Sequence, residues 1–187
     1  TTFFIGALLF SWRYLDGNRR SDFVWSCLCV ALAITSKWPF AVAILSVFGA
    51  IYLKDPSAQN WRRTVRLMLQ ALGLSILLTI LLSPFLILDY ETLLSNLRGE
   101  AQTRHVGSTG GSVLANLVFY AQALIRSGIG PMGAILAAIG LFAVRRKPAF
   151  WLIIILPTVV MVAILALQNL VWERWIIAVL PLCALLI

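Results

Sequence analysis

A chain of 187 residues that is 61% hydrophobic and only 12% charged, with a mean hydropathy of +0.94, is excluded from the soluble globular class, which averages about one quarter charged residues. Its net charge of +8 is no argument for nucleic acid. The bases form short clusters at the ends of apolar segments, as the positive-inside rule requires, and no stripe of bases and aromatics lies on a soluble face. The class that remains is an all-α, polytopic membrane helix bundle.

In chain order, residues 2–12 read as the tail of a helix that arrives at the polar loop "RYLDGNRRSD". Residues 23–53 are apolar, yet they start and finish at basic clusters. One straight helix of that length would run about 46 Å at 1.5 Å per residue and would place Lys54 and Arg62 on the wrong side. A helical hairpin resolves both problems, with its tip at Thr35-Ser36-Lys37-Trp38-Pro39, where the proline disfavours a continuous helix. The next span runs from Arg66 to about Leu88. It is followed by an outer loop over 89–129, in which "ETLLSNLRGEAQTR" and "SVLANLVFYAQALIRSG" read as amphipathic helices joined by "HVGSTGG". The second of these is assigned to the outer interface, because as a span it would carry Arg145, Arg146 and Lys147 outside. Residues 130–144 return inward, 149–168 cross outward with a kink at Pro157, and 176–187 begin a last helix.

On this path ten of the 15 basic residues face the cytoplasm. The other five, Lys37, Arg98, Arg104, Arg126 and Arg174, face out. Trp12, Trp25, Tyr52, Trp61 and Trp151 fall near the inner interface and Trp38, Tyr90, Trp172 and Trp175 near the outer one, as aromatic belts do. Cys27, Cys29 and Cys183 lie in apolar segments without metal-ligand spacing, and the C-x-C pair points to two faces of one helix. The chain begins without Met or a signal-peptide n-region and stops inside an apolar run shorter than the ~20 residues a bilayer needs. It therefore reads as one transmembrane domain over 1–187, truncated at both ends.

Lys37 is the residue that most needs a reason, since a lysine at the centre of a span costs roughly 2.5–3.5 kcal/mol. Read from its neighbours, Ser36 is the expected N-cap of a helix starting at Trp38-Pro39. The free N–H groups of that first turn, with the lysine beside them, would attract an anion. The bland alternative is a lysine that snorkels to the interface. Asp89, at the start of the outer loop, is expected to act as a cap or as the partner of a base. Gly107, Gly110 and Gly111 follow no strand, so a nucleotide P-loop is rejected.

The string "ALAITSKWPFAVAILSVFGAIYL" resembles the G-L-A-x-x-T-K hairpin of membrane glycosyltransferases with the GT-C fold, the family of protein mannosyltransferases and aminoarabinose transferases. "LLSPFLILDYETLLSNLRGEAQTRHVGSTGG" is similar to the segment that follows a span in that family on the luminal side. "GIGPMGAILAAIGLFAVRRKP" is similar to its next inward span, and "WERWIIAVLPLCALL" to its R-Y-x-x-P-x-x-P segment. Together these blocks cover nearly the whole chain in the family's order. The departures are Ala31 or Ala33 in place of the hairpin glycine, Trp175 in place of tyrosine, and a missing second proline in the last motif.

The resemblance implies a glycosyltransferase that moves a sugar from a polyprenyl-phosphate donor to a glycan, lipid or protein acceptor on the extracytoplasmic face, in a bacterial inner membrane. It implies that Lys37 and Arg174 hold the lipid phosphate, with Arg104, His105 and Asp89 toward the sugar or acceptor, and it implies no cofactor or metal. The family's catalytic base, an acidic residue, lies in a first outer loop with no counterpart here, so the segment alone is expected to be inactive. Rival readings are a transporter or flippase, a polysaccharide polymerase or ligase that also uses polyprenyl-linked sugars, and a structural membrane subunit. A flippase would call for a second broken helix in a matching repeat, and the chain has one broken hairpin.

Overall fold

The computed structural model describes residues 1–57, 60–100, 111–168 and 171–186, and every regular element among them is helical. Three stretches are long and apolar enough to cross a membrane: Trp61–Leu82, Val113–Ala143 and Pro148–Ala166. The chain divides into two units, one of residues 1–84 with 147–158 and the other of 85–146 with 159–187.

The first unit contains α1 (Thr2–Gly17), α2 (Arg20–Ser36), α3 (Ile44–Lys54) and α4 (Trp61–Leu82). It also takes in the short α9 (Pro148–Phe150) and the π turn Trp151–Ile155. The hairpin expected over 23–53 is present. α2 ends at Ser36, Lys37 is extended (φ −165°), and a 3-10 turn over Trp38–Ala43 leads into α3. α1 stops at Asn18, whose left-handed backbone (φ 51°) terminates it.

The helices of this unit meet through small and polar side chains. Ser11 on α1 hydrogen-bonds Ser46 on α3 at 3.1 Å in a fully buried contact. A Cβ on Gly6 would stand 3.0 Å from the Cys29 sulfur, and one on Gly49 would stand 2.8 Å from the Leu152 carbonyl oxygen, so α3 and the π turn touch almost backbone to backbone. α4 buries Thr64, Ala71, Ser75 and Thr79, while Leu69, Ile76, Leu77 and Leu81 stay exposed. That pattern is inverted relative to a soluble helix. It suits lipid, where leucine gains nothing by leaving the solvent and small residues let backbones close up. Ala71, Ser75 and Thr79 form this seam at four-residue spacing, where a search for paired glycines finds nothing. The cysteine pair does face two ways: Cys29 packs on Gly6, and Cys27 lies beside Ser75.

Two helix ends differ from the sequence expectation. The span expected from Arg66 to about Leu88 instead starts at Trp61 and stops at Leu82. Ser83 precedes Pro84 and adopts φ −141°, ψ 73°, because the proline ring disfavours a helical residue before it. The kink at Pro157 is realised as the π turn, in which the Leu156 amide reaches back to the Trp151 carbonyl. The wider turn accommodates a proline that has no N–H to give.

The second unit contains α5 (Phe85–Leu88), α6 (Tyr90–Glu100), α7 (Val113–Ala123) with a π turn over Leu124–Ile129, and α8 (Gly130–Ala143). Residues from Val159 onward of α10 (Leu156–Ala166), a 3-10 segment Glu173–Val179 and α11 (Leu180–Ala184) complete it. The expected division between 112–127 and 130–144 falls at Gly130, whose φ of 72° with ψ 168° only glycine accepts readily, immediately before Pro131. Neither piece alone reaches the ~20 residues of a span; only the whole stretch Val113–Ala143 does. The last helix is shorter than expected, since the stretch before Leu180 is wound as a 3-10 segment.

Candidate functional site

Within the first unit the basic residues gather at one end. The Lys54 ammonium donates to the Asn18 side chain and sits 3.7 Å above the Tyr14 ring, and Arg63 is close enough to act electrostatically on Tyr14. Arg13 lies 3.4 Å from Asp22, a carboxylate that is almost wholly buried. Trp12 meets Phe150 edge-on at the same level, at 6.5 Å. Lys37 is at the other end, where the first residue, Thr1, is its electrostatic neighbour.

The tip itself differs from the expectation in a way that matters for anion binding. Ser36 does not cap the following helix. Its hydroxyl donates to the Leu32 carbonyl at 2.7 Å, and Thr35 donates to the same carbonyl at 3.1 Å. A serine or threonine hydroxyl in a helix readily bonds back to the carbonyl three or four residues before it, in competition with capping the next turn. Lys37 therefore holds the capping position itself, without a side-chain cap. The first-turn amides are also less free than expected. Pro39 has none, and Phe40 N–H donates to the Lys37 carbonyl at 2.9 Å. The cation at the tip is Lys37, half-buried as a residue and followed by the exposed Trp38 and by Phe40, which packs on Phe4 with ring centroids 5.5 Å apart.

In the second unit Asp89 is exposed and caps α6 through its backbone: its carbonyl accepts from Leu93 N–H at 3.2 Å, while its own N–H bonds the Phe85 carbonyl at 3.0 Å. Arg174 is exposed, with its guanidinium 4.6 Å from the centre of the Trp172 ring. No ion pair joins Asp89 to Arg174 among the described residues. Arg104 and His105 lie outside the described residues. Among the described residues no three His, Cys, Asp or Glu side chains gather where they could hold a metal ion.

Sequence reasoning missed Asn116. It is buried on α7, and its amide donates to the Ala166 carbonyl at 2.9 Å and the Gln168 carbonyl at 3.1 Å. Its oxygen accepts from Gly111 N–H at 2.9 Å. One side chain thus satisfies carbonyls at the end of α10 and holds the start of α7 to it. One turn on, Tyr120 is 1% exposed, and its hydroxyl faces the Trp172 backbone without a hydrogen bond of normal geometry. The signal was available: Asn116, Tyr120 and Ala123 recur at helical spacing, a polar face turned inward in a segment assigned to the interface. Comparison of the chain with protein-family models, with curated proteins and with solved structures finds no match.

Proposed function

We propose that this chain belongs to a membrane glycosyltransferase that uses a polyprenyl-phosphate-linked sugar donor, with Lys37 binding the phosphate of the donor on the extracytoplasmic face. The membrane is a bacterial inner membrane, crossed several times, with the basic end of the first unit toward the cytoplasm. The observation that carries the reading is the placement of Lys37: a cation at the break of the hairpin, at the opposite end of its unit from the basic cluster. A lysine that served orientation alone would be expected among those other bases. The ordered blocks of family resemblance supply the chemistry.

In this reading the acceptor hydroxyl gives its proton to the family's catalytic base as its oxygen attacks the anomeric carbon, and the bond to the phosphate oxygen breaks with inversion. The electron pair leaves with the polyprenyl phosphate, and Lys37 offsets the charge that develops there. Arg174, whose guanidinium lies 4.6 Å from the centre of the Trp172 ring, is proposed from the family resemblance as a second phosphate-binding cation. Arg104, His105 and Asp89 are proposed on the sugar or acceptor side, Asp89 through its position at the start of α6.

The test is donor-dependent turnover of the full-length enzyme in membranes. Lys37→Met keeps the stem and removes the charge. Loss of a charge-assisted hydrogen bond worth about 1.5–3 kcal/mol corresponds to roughly ten- to a hundredfold weaker donor use at normal expression. Lys37→Arg is expected to retain part of the activity, because a phosphate accepts either cation. Normal turnover by Lys37→Met at all donor concentrations would leave Lys37 as a snorkelling residue and end this reading.

A further inference from the structure

The outward face of α4 combines two features that meet at one place. With 100° between successive residues, Arg62, Arg66, Leu69, Gly73, Ile76 and Leu77 fall on one side of the helix. All six are exposed, and they lie opposite the buried seam. The arginines are at the basic end of the unit, and the remainder of the stripe is uncharged. Nothing stands within 4 Å of a Cβ placed on Gly73, so the stripe is open along its middle.

Neither arginine has a carboxylate partner among the described residues. Two acids of the same unit are engaged elsewhere: Asp22 with Arg13, and Asp55 with the Asn60 amide at 2.7 Å. From Arg66 to Leu77 the helix rises about 16 Å, close to the ~15 Å of one leaflet's hydrocarbon. Trp61, 61% exposed, lies at the arginine level, where an indole meets headgroups.

We infer that this face is a binding site for one anionic phospholipid of the leaflet at the basic end, with the phosphate on Arg62 and Arg66 and an acyl chain along Leu69 to Leu77. A second copy of the chain is the competing occupant, and charge disfavours it. Two copies inserted the same way and packed on this face by a two-fold axis along the membrane normal would bring four arginines together. An anionic headgroup neutralises the arginines, and its chain covers the leucines. The site is at the other end of its unit from Lys37 and does not depend on the glycosyltransferase reading.

The experiment places the 187-residue chain in nanodiscs of equal phosphatidylglycerol and phosphatidylcholine and counts retained lipids by native mass spectrometry. The expected result is a preference for phosphatidylglycerol of about five- to thirtyfold, the range for one to two basic side chains near an anionic lipid surface. R62Q/R66Q is expected to lower it to near unity, R62K/R66K to keep most of it, and R19Q/R20Q, altered at the same end but on α2, to keep it as well. Since Arg62 and Arg66 are exposed, the glutamine variants leave the packing intact, and the lysine variants control for charge alone. The inference is overturned if R62Q/R66Q retains the preference, or if R19Q/R20Q loses as much, which would mean a diffuse basic field. Efficient disulfide cross-linking of Gly73→Cys in the same nanodiscs would overturn it in favour of a second copy.

Discussion

The two units share one means of joining apolar helices, close approach at glycines, and differ in the polar bonds added to it. In the unit of residues 1–84 and 147–158, helices approach until small residues touch: Gly49 against the Leu152 carbonyl, Gly6 against Cys29, and the Ala71-Ser75-Thr79 seam of α4 against α2. Its buried hydrogen bonds are mostly local, such as Ser26 to the Phe23 carbonyl and Thr79 to the Ser75 carbonyl, and Ser11 with Ser46 is the buried pair that crosses between helices. In the unit of residues 85–146 and 159–187 the elements are shorter and more broken; Gly140 closes on the Leu186 backbone and Gly128 on the Leu180 side chain, and a buried amide adds a second kind of joint. Asn116 bridges one carbonyl at the end of α10 and one just past it, and fixes the turn before α7. In lipid, where apolar side chains gain nothing by leaving the solvent, close packing and interhelical hydrogen bonds are the two means of association. Both units use close packing, and the second adds an amide that spans its elements.

This contrast can be broken by substitution. The largest effect is expected at Gly49→Leu. A Cβ there already meets backbone at 2.8 Å, and a larger side chain should cost about 3 kcal/mol, the upper part of the range for overpacking. Detergent-driven unfolding in mixed micelles measures it, and an unchanged midpoint would show that α3 and the π turn are not held in contact. Next comes Asn116→Leu, which leaves the Ala166 and Gln168 carbonyls without this donor. A loss of about 2 kcal/mol is expected, the cost of an unsatisfied buried group. Faster hydrogen exchange confined to residues 111–123 and 159–168 would locate it, whereas equal loss across residues 1–84 would contradict the assignment of this staple to its own unit.

Smaller effects sharpen the contrast. Ser11→Ala removes the α1–α3 pair, but Ser46 keeps its bond to the Ala43 carbonyl at 2.7 Å. The expected loss is about 0.6 kcal/mol, the average for polar contacts between membrane helices. A loss as large as that at Asn116 would mean that the first unit is also held by polar bonds. Gly73→Ala should raise stability by about 0.5 kcal/mol, since it removes a flexible residue from a helix interior at a position with no neighbour. A drop in stability of that variant would show that the outer face of α4 is packed against something.

What could be read from the sequence was what depends on local patterns and on the solvent. Apolar runs gave helices, the proline after Trp38 marked the hairpin, and the basic residues from Arg13 to Arg66 marked one end of a unit. The pre-proline rule places the break at Ser83, directly before Pro84, yet the apolar run continues past it and the span was drawn six residues too long at its far end. The site was less legible. Lys37 was singled out because a charge in an apolar run is conspicuous, while the Ser36 hydroxyl turned back to the carbonyl four residues before it in place of capping the next turn.

Asn116 and the α4 seam escaped for a related reason. A polar or small residue on a membrane helix looks the same in sequence whether it faces headgroups, lipid or a neighbour. Only the packed structure decides which, because the difference lies in the partner: a carbonyl some fifty residues away for Asn116, and α2 for Ser75. The sequence by itself determined that the chain is helical, built for a lipid surround and charged at defined helix ends, since these follow from composition and spacing. The tertiary structure alone decided which faces close on one another, because helix association in an apolar solvent depends on shape and hydrogen-bond geometry between residues far apart in the chain.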